Sequence, residues 1–435
     1  MKLCTAIEML IIASSIFGAP SSTMSFTPSS SSRGGITIDQ QRLAFSIPSC
    51  NSKKMRIEGK LFTAHSADTN VEASSSESSS VGKDDIAPDY LAAREKTIAT
   101  LRASIDNPVM EESLIHYVTE IYNAAYAKSI DGNPEITAKI TTERTLQSLQ
   151  YGMQYGLQDK YIFNVTHKAL TGKNPDDEDG NTINFYKFGN DFFNTFLDTK
   201  KSVLMGIENL ETAKEQMAKG ENVVFFANHQ SEADPQALSI VMKENGFEDV
   251  AEKVYFVAGH KVTTDSLAIP FSMGRNLICI HSKKHLDCDP DSKPLKQKQN
   301  LAAMSGMLDL FRKGGAAVWV APSGGRDRRD LTTGKVPVAP FDQKTIDMFR
   351  LMGNKSKVPT HYYAMSMNTY ELCPPPDTVE AGVGEKRNVR YVPCGIYVSE
   401  ELENVGGVET RHLFTENAFK ICDENYQTIV DASSP

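Results

Sequence analysis

Between Asp84 and about Thr199, apolar residues recur at helical spacing. Leu91, Ile98, Leu101 and Ile105 form one stripe, and Leu114, Val118, Ile121 and Ala125 form a second. Ile136, Ile140 and Leu146 continue the series. Asn107-Pro108 and Gly132-Asn133-Pro134 interrupt it, because proline has no amide hydrogen to give to a preceding helical turn. An acidic loop, Asn174 to Gly180, then precedes a Phe-rich segment from Phe185 to Phe196. These stripes predict the core faces of a small helical bundle and carry no chemistry of their own.

The texture changes after Leu204. A helix ending near Gly220 leads into the apolar run Val223-Val224-Phe225-Phe226. Similar runs stand at Val254 to Val257, Leu277 to Ile280, Ala317 to Val320, Tyr362 to Met365 and Val389 to Val398. Helical patterns alternate with them, at Pro235 to Lys243, Leu301 to Arg312 and Thr345 to Leu351. Strands alternating with helices predict a buried sheet, and helical crossovers make neighbouring strands parallel. The expected architecture is α/β: an N-terminal helical bundle at residues 83–199, then a larger α/β domain at 200–435 with a mixed, largely parallel sheet.

Composition narrows the class. Apolar residues make up 40% and charged residues 23%, which excludes collagen-like, coiled-coil and wholly disordered chains. A net charge of −9 argues against a nucleic-acid coat, which needs a basic excess. No apolar run approaches the roughly 20 residues that span a bilayer. The seven cysteines show no CxxC pairing, so neither a disulfide framework nor a thiolate zinc site is expected, and a reducing compartment fits best.

The N-terminus reads as targeting sequence. Lys2 is followed by a short apolar stretch, Ile7 to Phe17, broken by Glu8, and then by Gly18 and Ala19, a secretory-type signal pattern. From Gly18 to Lys60 the chain is rich in Ser and Thr, with Arg33, Arg42, Lys53, Lys54, Arg56 and Lys60 and few acids, which is transit-peptide composition. A signal joined to a transit peptide resembles the bipartite presequences of algal complex plastids. With the Ser-rich linker Ser74 to Ser80, residues 1–82 are set aside from the fold.

Three polar blocks follow strands. The first is Asn228-His229-Gln230-Ser231-Glu232-Ala233-Asp234-Pro235. Pro235 suits a first helical turn, so the chain turns back between His229 and Asp234 and can bring imidazole and carboxylate together. A carboxylate on one ring nitrogen makes the other a base. The alternative is that Asp234 only caps the helix. The second block is Pro270-Phe271-Ser272-Met273-Gly274-Arg275-Asn276, a strand, and His281-Ser282-Lys283-Lys284-His285, where Lys284 and His285 offer donors to an anion or simply face solvent. The third follows Ala317–Val320: Ala321-Pro322-Ser323-Gly324-Gly325-Arg326-Asp327-Arg328-Arg329. Arg326 and Arg328 suit a phosphate, although a charged hairpin tip with Asp327 pairing locally is the competing reading. There is no GxxxxGK[ST] loop and no GxSxG elbow. Strand ends on one side of an α/β sheet share a crevice, so a base and a multi-cation anion site face each other. That predicts transfer to or from a small phosphorylated alcohol, with the transferred group open.

In this order, NHQSEADP, PFSMGRNLICIHSKKH and APSGGRDR resemble the soluble plastid glycerol-3-phosphate acyltransferases. Ala339-Pro340-Phe341-Asp342, Cys373-Pro374-Pro375-Pro376 and Gly384-Glu385-Lys386-Arg387 are similar too, so the likeness covers nearly all of the chain beyond the presequence. The resemblance implies His229 as general base, Asp234 as its orienting carboxylate, and Lys284, His285, Arg326 and Arg328 as binding positions for the phosphate of glycerol 3-phosphate. It further implies an acyl donor carried on acyl carrier protein or as acyl-CoA, direct transfer to the sn-1 hydroxyl, no metal or organic cofactor, a monomer with at most peripheral membrane contact, and a plastid stroma location. One departure is His260, where the family pattern has an acidic residue; the roles of His260 and Lys261 stay open. Lysophosphatidate as acceptor is disfavoured because such enzymes are usually membrane-bound. A non-catalytic binder of the carrier or of anionic lipid is disfavoured by the intact His229/Asp234 pair.

Overall fold

The computed structural model describes residues 86–103, 105, 108–128, 132–158, 160–172, 183–282, 286, 290–376, 386–404 and 410–433. The targeting reading of residues 1–82, Lys284 and His285 all lie outside them. The described residues belong to one compact unit spanning residues 85–380 and 384–435.

Helices α1 (Pro88–Arg102), α2 (Pro108–Lys128) and α3 (Pro134–Tyr151) each begin at a proline, where a missing amide hydrogen costs the helix nothing. Asn133 caps α3, its side-chain oxygen accepting from Glu135 N at 2.9 Å and Ile136 N at 3.2 Å. The α3 core face differs from the aliphatic stripe expected. Thr137, Thr141, Thr142, Thr145 and Ser148 are buried, whereas Ile136 is 42% exposed. Most of the buried hydroxyls find partners, Thr145 Oγ1 being an exception: Tyr122 OH lies 2.5 Å from Thr142 Oγ1 and 2.9 Å from Thr97 Oγ1, and Tyr90 OH donates to the Tyr122 carbonyl at 2.6 Å. A threonine buries a methyl group once its hydroxyl is bonded, so polarity in the sequence does not place it on the surface.

Among the described residues, eight strands form one mixed sheet: β1 (Thr166–His167), β2 (Val203–Met205), β3 (Asn222–Ala227), β4 (Val254–Gly259), β5 (Asn276–Ile280), β6 (Ala317–Val320), β7 (Thr360–Asn368) and β8 (Gly395–Glu401). Their order is β1-β5-β4-β6-β3-β7-β8-β2. The central strands β5, β4, β6, β3 and β7 are mutually parallel, while β1 and β8 run antiparallel to β5 and β7. The α/β class with a largely parallel sheet stands as expected. The run Val389 to Val398 is strand only from Gly395, and β1 and β2 are too short to have stood out.

Burial on both faces explains the unbroken apolar runs. Val223, Phe225 and Ala227 of β3 point to one layer, with α4 (Phe185–Asn194), α5 (Ile207–Ala218), α6 (Asp234–Glu244) and Tyr117 and Ile121 of α2. A short helix α7 (Glu248–Ala251) adds Val250 and Ala251 to that layer. Val224 and Phe226 point to the other layer, where α9 (Lys293–Lys313), α10 (Gln343–Ser356) and the terminal helix α11 (Arg411–Ala432) supply Phe311, Phe349 and Phe414. The helix α8 (Ile269–Met273) leads into β5 through Gly274. A Cβ there would lie 2.3 Å from the Phe185 carbonyl oxygen, so the motif glycine permits a close backbone approach to α4.

Candidate active site

Because β3 to β7 run the same way, the polar blocks emerge along one edge of the sheet. His229 follows β3 by one residue. Its Nδ1 lies 2.7 Å from Asp234 Oδ2, and its side chain is 29% exposed while that of Asp234 is 1% exposed. Asp234 is the first residue of α6, yet its carboxylate does not cap that helix. It turns back and accepts from Gln230 N at 2.9 Å, Ser231 N at 3.0 Å and Thr369 Oγ1 at 2.5 Å. Four donors hold the buried carboxylate. With Nδ1–H given to Asp234, the imidazole keeps Nε2 as its proton acceptor. The indole of Trp319 on β6 packs edge-on against the His229 ring, with centroids 5.7 Å apart.

Residues flanking His229 bind the loop to its neighbours. Asn228 donates to the Met367 carbonyl at 3.0 Å and accepts from Met367 N at 2.8 Å. It also donates to Asp327 Oδ2 at 3.1 Å. Gln230 Oε1 accepts from Thr369 N at 2.9 Å and Tyr370 N at 3.1 Å. Asp327 does not pair with its flanking arginines. It is buried, accepts from Ala339 N at 3.0 Å, and gives its own amide hydrogen to the His229 carbonyl at 2.6 Å. Burial pushes its carboxyl up to about 6, against the pull of the Ala339 and Asn228 hydrogen bonds.

The cations stand at the open flank. Gly324, at φ +72°, takes the left-handed backbone that turns the chain after β6. Arg326 Nη1 lies 3.3 Å from Glu232 Oε1, and Arg328 Nη1 donates to the Pro376 carbonyl at 2.7 Å. The two guanidiniums therefore have different partners. His260, at the end of β4, stacks on His281, at the end of β5, with ring centroids 4.5 Å apart. Burial and the neighbouring imidazole hold His260 below the usual histidine range. His281 is fixed by Gln299 Oε1 at 2.7 Å and by a pair of hydrogen bonds with Asn300.

Arg275 of the second block has a structural place instead. It is buried at the opposite end of β5, donates to Ser239 Oγ at 2.5 Å and to Asn190, and lies over the Tyr186 ring. Burial pushes its guanidinium down to about 10. Among the described residues, no cluster of His, Cys, Asp and Glu could hold a metal ion, and no helix is long and apolar enough to cross a membrane. Sequence reasoning missed Thr369, Glu232, Trp319 and the role of Asp327. Each acts on a partner far along the chain, so no local spacing announces it.

A polar base on a buried carboxylate, with arginines along the same edge, is an arrangement for deprotonating a hydroxyl beside an anion. Known proteins share the sequence. Residues 206–364 match the family described as Acyltransferase. The chain is similar to the chloroplastic glycerol-3-phosphate acyltransferase of Arabidopsis thaliana, 36% identical over 289 residues, covering 64% of this chain and 60% of that protein. The Spinacia oleracea protein of the same name is 33% identical over 310 residues, covering 71% and 61% respectively. That of Phaseolus vulgaris is 30% identical over 345 residues, covering 78% of this chain and 72% of its own. The chain thus spans 60% and 61% of the first two relatives and more of the third. With this extent of shared sequence, it belongs to the family of chloroplastic glycerol-3-phosphate acyltransferases.

Proposed function

We propose that this protein transfers an acyl group from acyl-acyl carrier protein, or from acyl-CoA, to the sn-1 hydroxyl of glycerol 3-phosphate. The observation that carries the reading is the His229–Asp234 pair, with Nδ1 on a buried carboxylate and Nε2 left as base. His229 Nε2 takes the hydroxyl proton as the oxygen attacks the thioester carbonyl. Asp234 stabilises the imidazolium that results. The tetrahedral intermediate collapses with cleavage of the C–S bond, and the imidazolium returns the proton to the leaving thiolate. The products are 1-acyl-glycerol 3-phosphate and a free thiol. No acyl-enzyme forms.

Arg326 and Arg328, with Lys284 and His285, bind the phosphate and hold the hydroxyl at the base. Membership of a family whose curated relatives are called chloroplastic supports work in the plastid stroma, reached through the presequence at 1–82. The protein acts as a monomer with at most peripheral membrane contact. The test is an acyltransfer assay on the full chain, with glycerol 3-phosphate and both classes of thioester donor. Lysophosphatidic acid formed with release of one thiol per product supports the reading. No transfer to glycerol 3-phosphate, or transfer only to lysophosphatidate, would sink it.

A further inference from the structure

Arg387 stands in the Gly384–Arg387 motif, to which the reaction assigns no role. Its Nε lies 3.0 Å from Glu232 Oε2, and its Nη2 lies 2.6 Å from Asp265 Oδ2. The other oxygen of the same glutamate, Oε1, meets Arg326 at 3.3 Å. Charges therefore alternate along Arg326, Glu232, Arg387 and Asp265. The four residues come from four separate segments: the loop after β6, the loop after β3, residues 386–390, and the turn after β4. Asp265 is itself fixed, accepting from Leu267 N at 3.0 Å. The side chains of Arg326 and Arg387 are each 17% exposed and that of Glu232 38%. Burial would push the Glu232 carboxyl up, but Arg387 and then Arg326 hold it below the usual range, so it is an anion at neutral pH. Lys261 adds a further positive charge facing it.

We propose that Glu232 and Arg387 are positioning residues that form a charge clamp on Arg326: Glu232 occupies Arg326 while no anion is bound, and Arg387 retains Glu232 when a phosphate monoester displaces it. The inference rests on the reading of Arg326 as a phosphate ligand. A phosphate that reaches Arg326 competes with a carboxylate for one guanidinium. Glu232 yields readily because its second oxygen is already on Arg387, which Asp265 holds in place. Without Arg387, Glu232 keeps its ion pair with Arg326 and the site loses one positive charge, so both changes weaken phosphate binding. Without the Glu232 charge, Arg326 no longer faces that carboxylate and the site gains net positive charge. The two single substitutions thus push affinity in opposite directions, which a purely structural strap does not do.

The experiment measures KM for glycerol 3-phosphate, kcat, and the inhibition constant of inorganic phosphate on the full chain. Arg387→Ala should raise KM and the phosphate inhibition constant about tenfold, with kcat within about twofold. Glu232→Gln should lower both by about threefold, and the double variant should return to within about threefold of the parent protein. A rise in KM for Glu232→Gln would make the glutamate a direct substrate ligand and overturn the clamp. A double variant no better than Arg387→Ala would overturn it in favour of a strap. Should Arg387→Ala not fold, Arg387→Lys and the sign of the Glu232→Gln effect decide the same question. Arg326→Ala separates the layers. If it leaves phosphate inhibition unchanged, the phosphate reading of Arg326 fails; if it weakens inhibition while the clamp variants are silent, only the clamp fails.

Discussion

The two flanks of the strand-end crevice are built on opposite principles. Around His229, a buried carboxylate is satisfied by four donors and bound into loops from β3, β6 and β7. Around Arg326, charges meet in a partly buried cluster and share partners that an incoming anion can replace. Buried hydrogen-bonded networks specify one geometry, whereas ion pairs that keep contact with solvent are more easily exchanged. On the proposed reading, the base is fixed and the binding flank is exchangeable. A reaction that needs one proton transferred along one line, but must also admit and release a charged substrate, is served by this division.

The contrast breaks most visibly at the base. His229→Ala should lower kcat by at least about 10³-fold with the circular dichroism unchanged and only a small fall in melting temperature, because the part-exposed imidazole gives up one edge contact with Trp319 and one hydrogen bond to Asp234. Asp234→Asn should lower kcat by about 10²-fold or more, since an amide favours the wrong tautomer. It should also destabilise the fold by about 1–3 kcal/mol, because the donors that now meet the carboxylate lose a charged acceptor. Retained turnover in His229→Ala would remove the histidine as base.

Asp327 sharpens the comparison through pH. Its folded carboxyl sits near 6, above its ordinary value, so the folded state holds that proton more tightly than the unfolded chain. Its contribution to stability is therefore greatest below about pH 4, falls as pH rises toward 6, and is flat beyond. Asp327→Asn should remove this fall, narrowing the difference in unfolding free energy between pH 4 and pH 7 by up to about 3 kcal/mol. Urea titrations of both proteins at the two pH values check it. An unchanged difference would mean that the carboxyl ionises normally.

The smallest effect belongs to the open flank. Arg328→Ala should raise KM for glycerol 3-phosphate about tenfold with little change in kcat. Across the parent protein, KM should rise with ionic strength while kcat stays constant, because exposed charges are screened and the buried pair is not. An unchanged KM in Arg328→Ala would sink its assignment to the phosphate.

How far the sequence revealed this depended on how local each feature is. The His229–Asp234 contact could be read because Pro235 marks where the helix begins and so where the chain turns. The buried strands announced themselves as unbroken apolar runs. Asp327 was hidden because its partner Asn228 lies 99 residues away, while two arginines beside it suggested a local pair. Thr369 and Arg387 likewise work across long separations. The hydroxyl-rich face of α3 misled for a different reason: apolar spacing pointed to Ile136, whereas bonded threonines fill the core. The helix α11 gives little periodic signal because its buried face mixes Phe414, Ala418, Cys422 and Tyr426, too varied to stand out as a stripe.

The hydrogen bonds of Asn228, Gln230 and Asp234 also have a dynamic consequence. Their side-chain oxygens accept the backbone amides of Met367, Thr369, Tyr370, Gln230 and Ser231, which belong to the end of β7, the turn after it and the loop after β3. Thr369 and Tyr370 share the Gln230 oxygen, and Gln230 and Ser231 share the Asp234 carboxylate, so opening one amide of either pair loosens the side chain that holds the other. The loops after β3 and β7 should therefore exchange their amide hydrogens as one cooperative unit, near the slow limit set by global unfolding. The amides of the loop around Gly324, on the binding flank, should exchange earlier and independently.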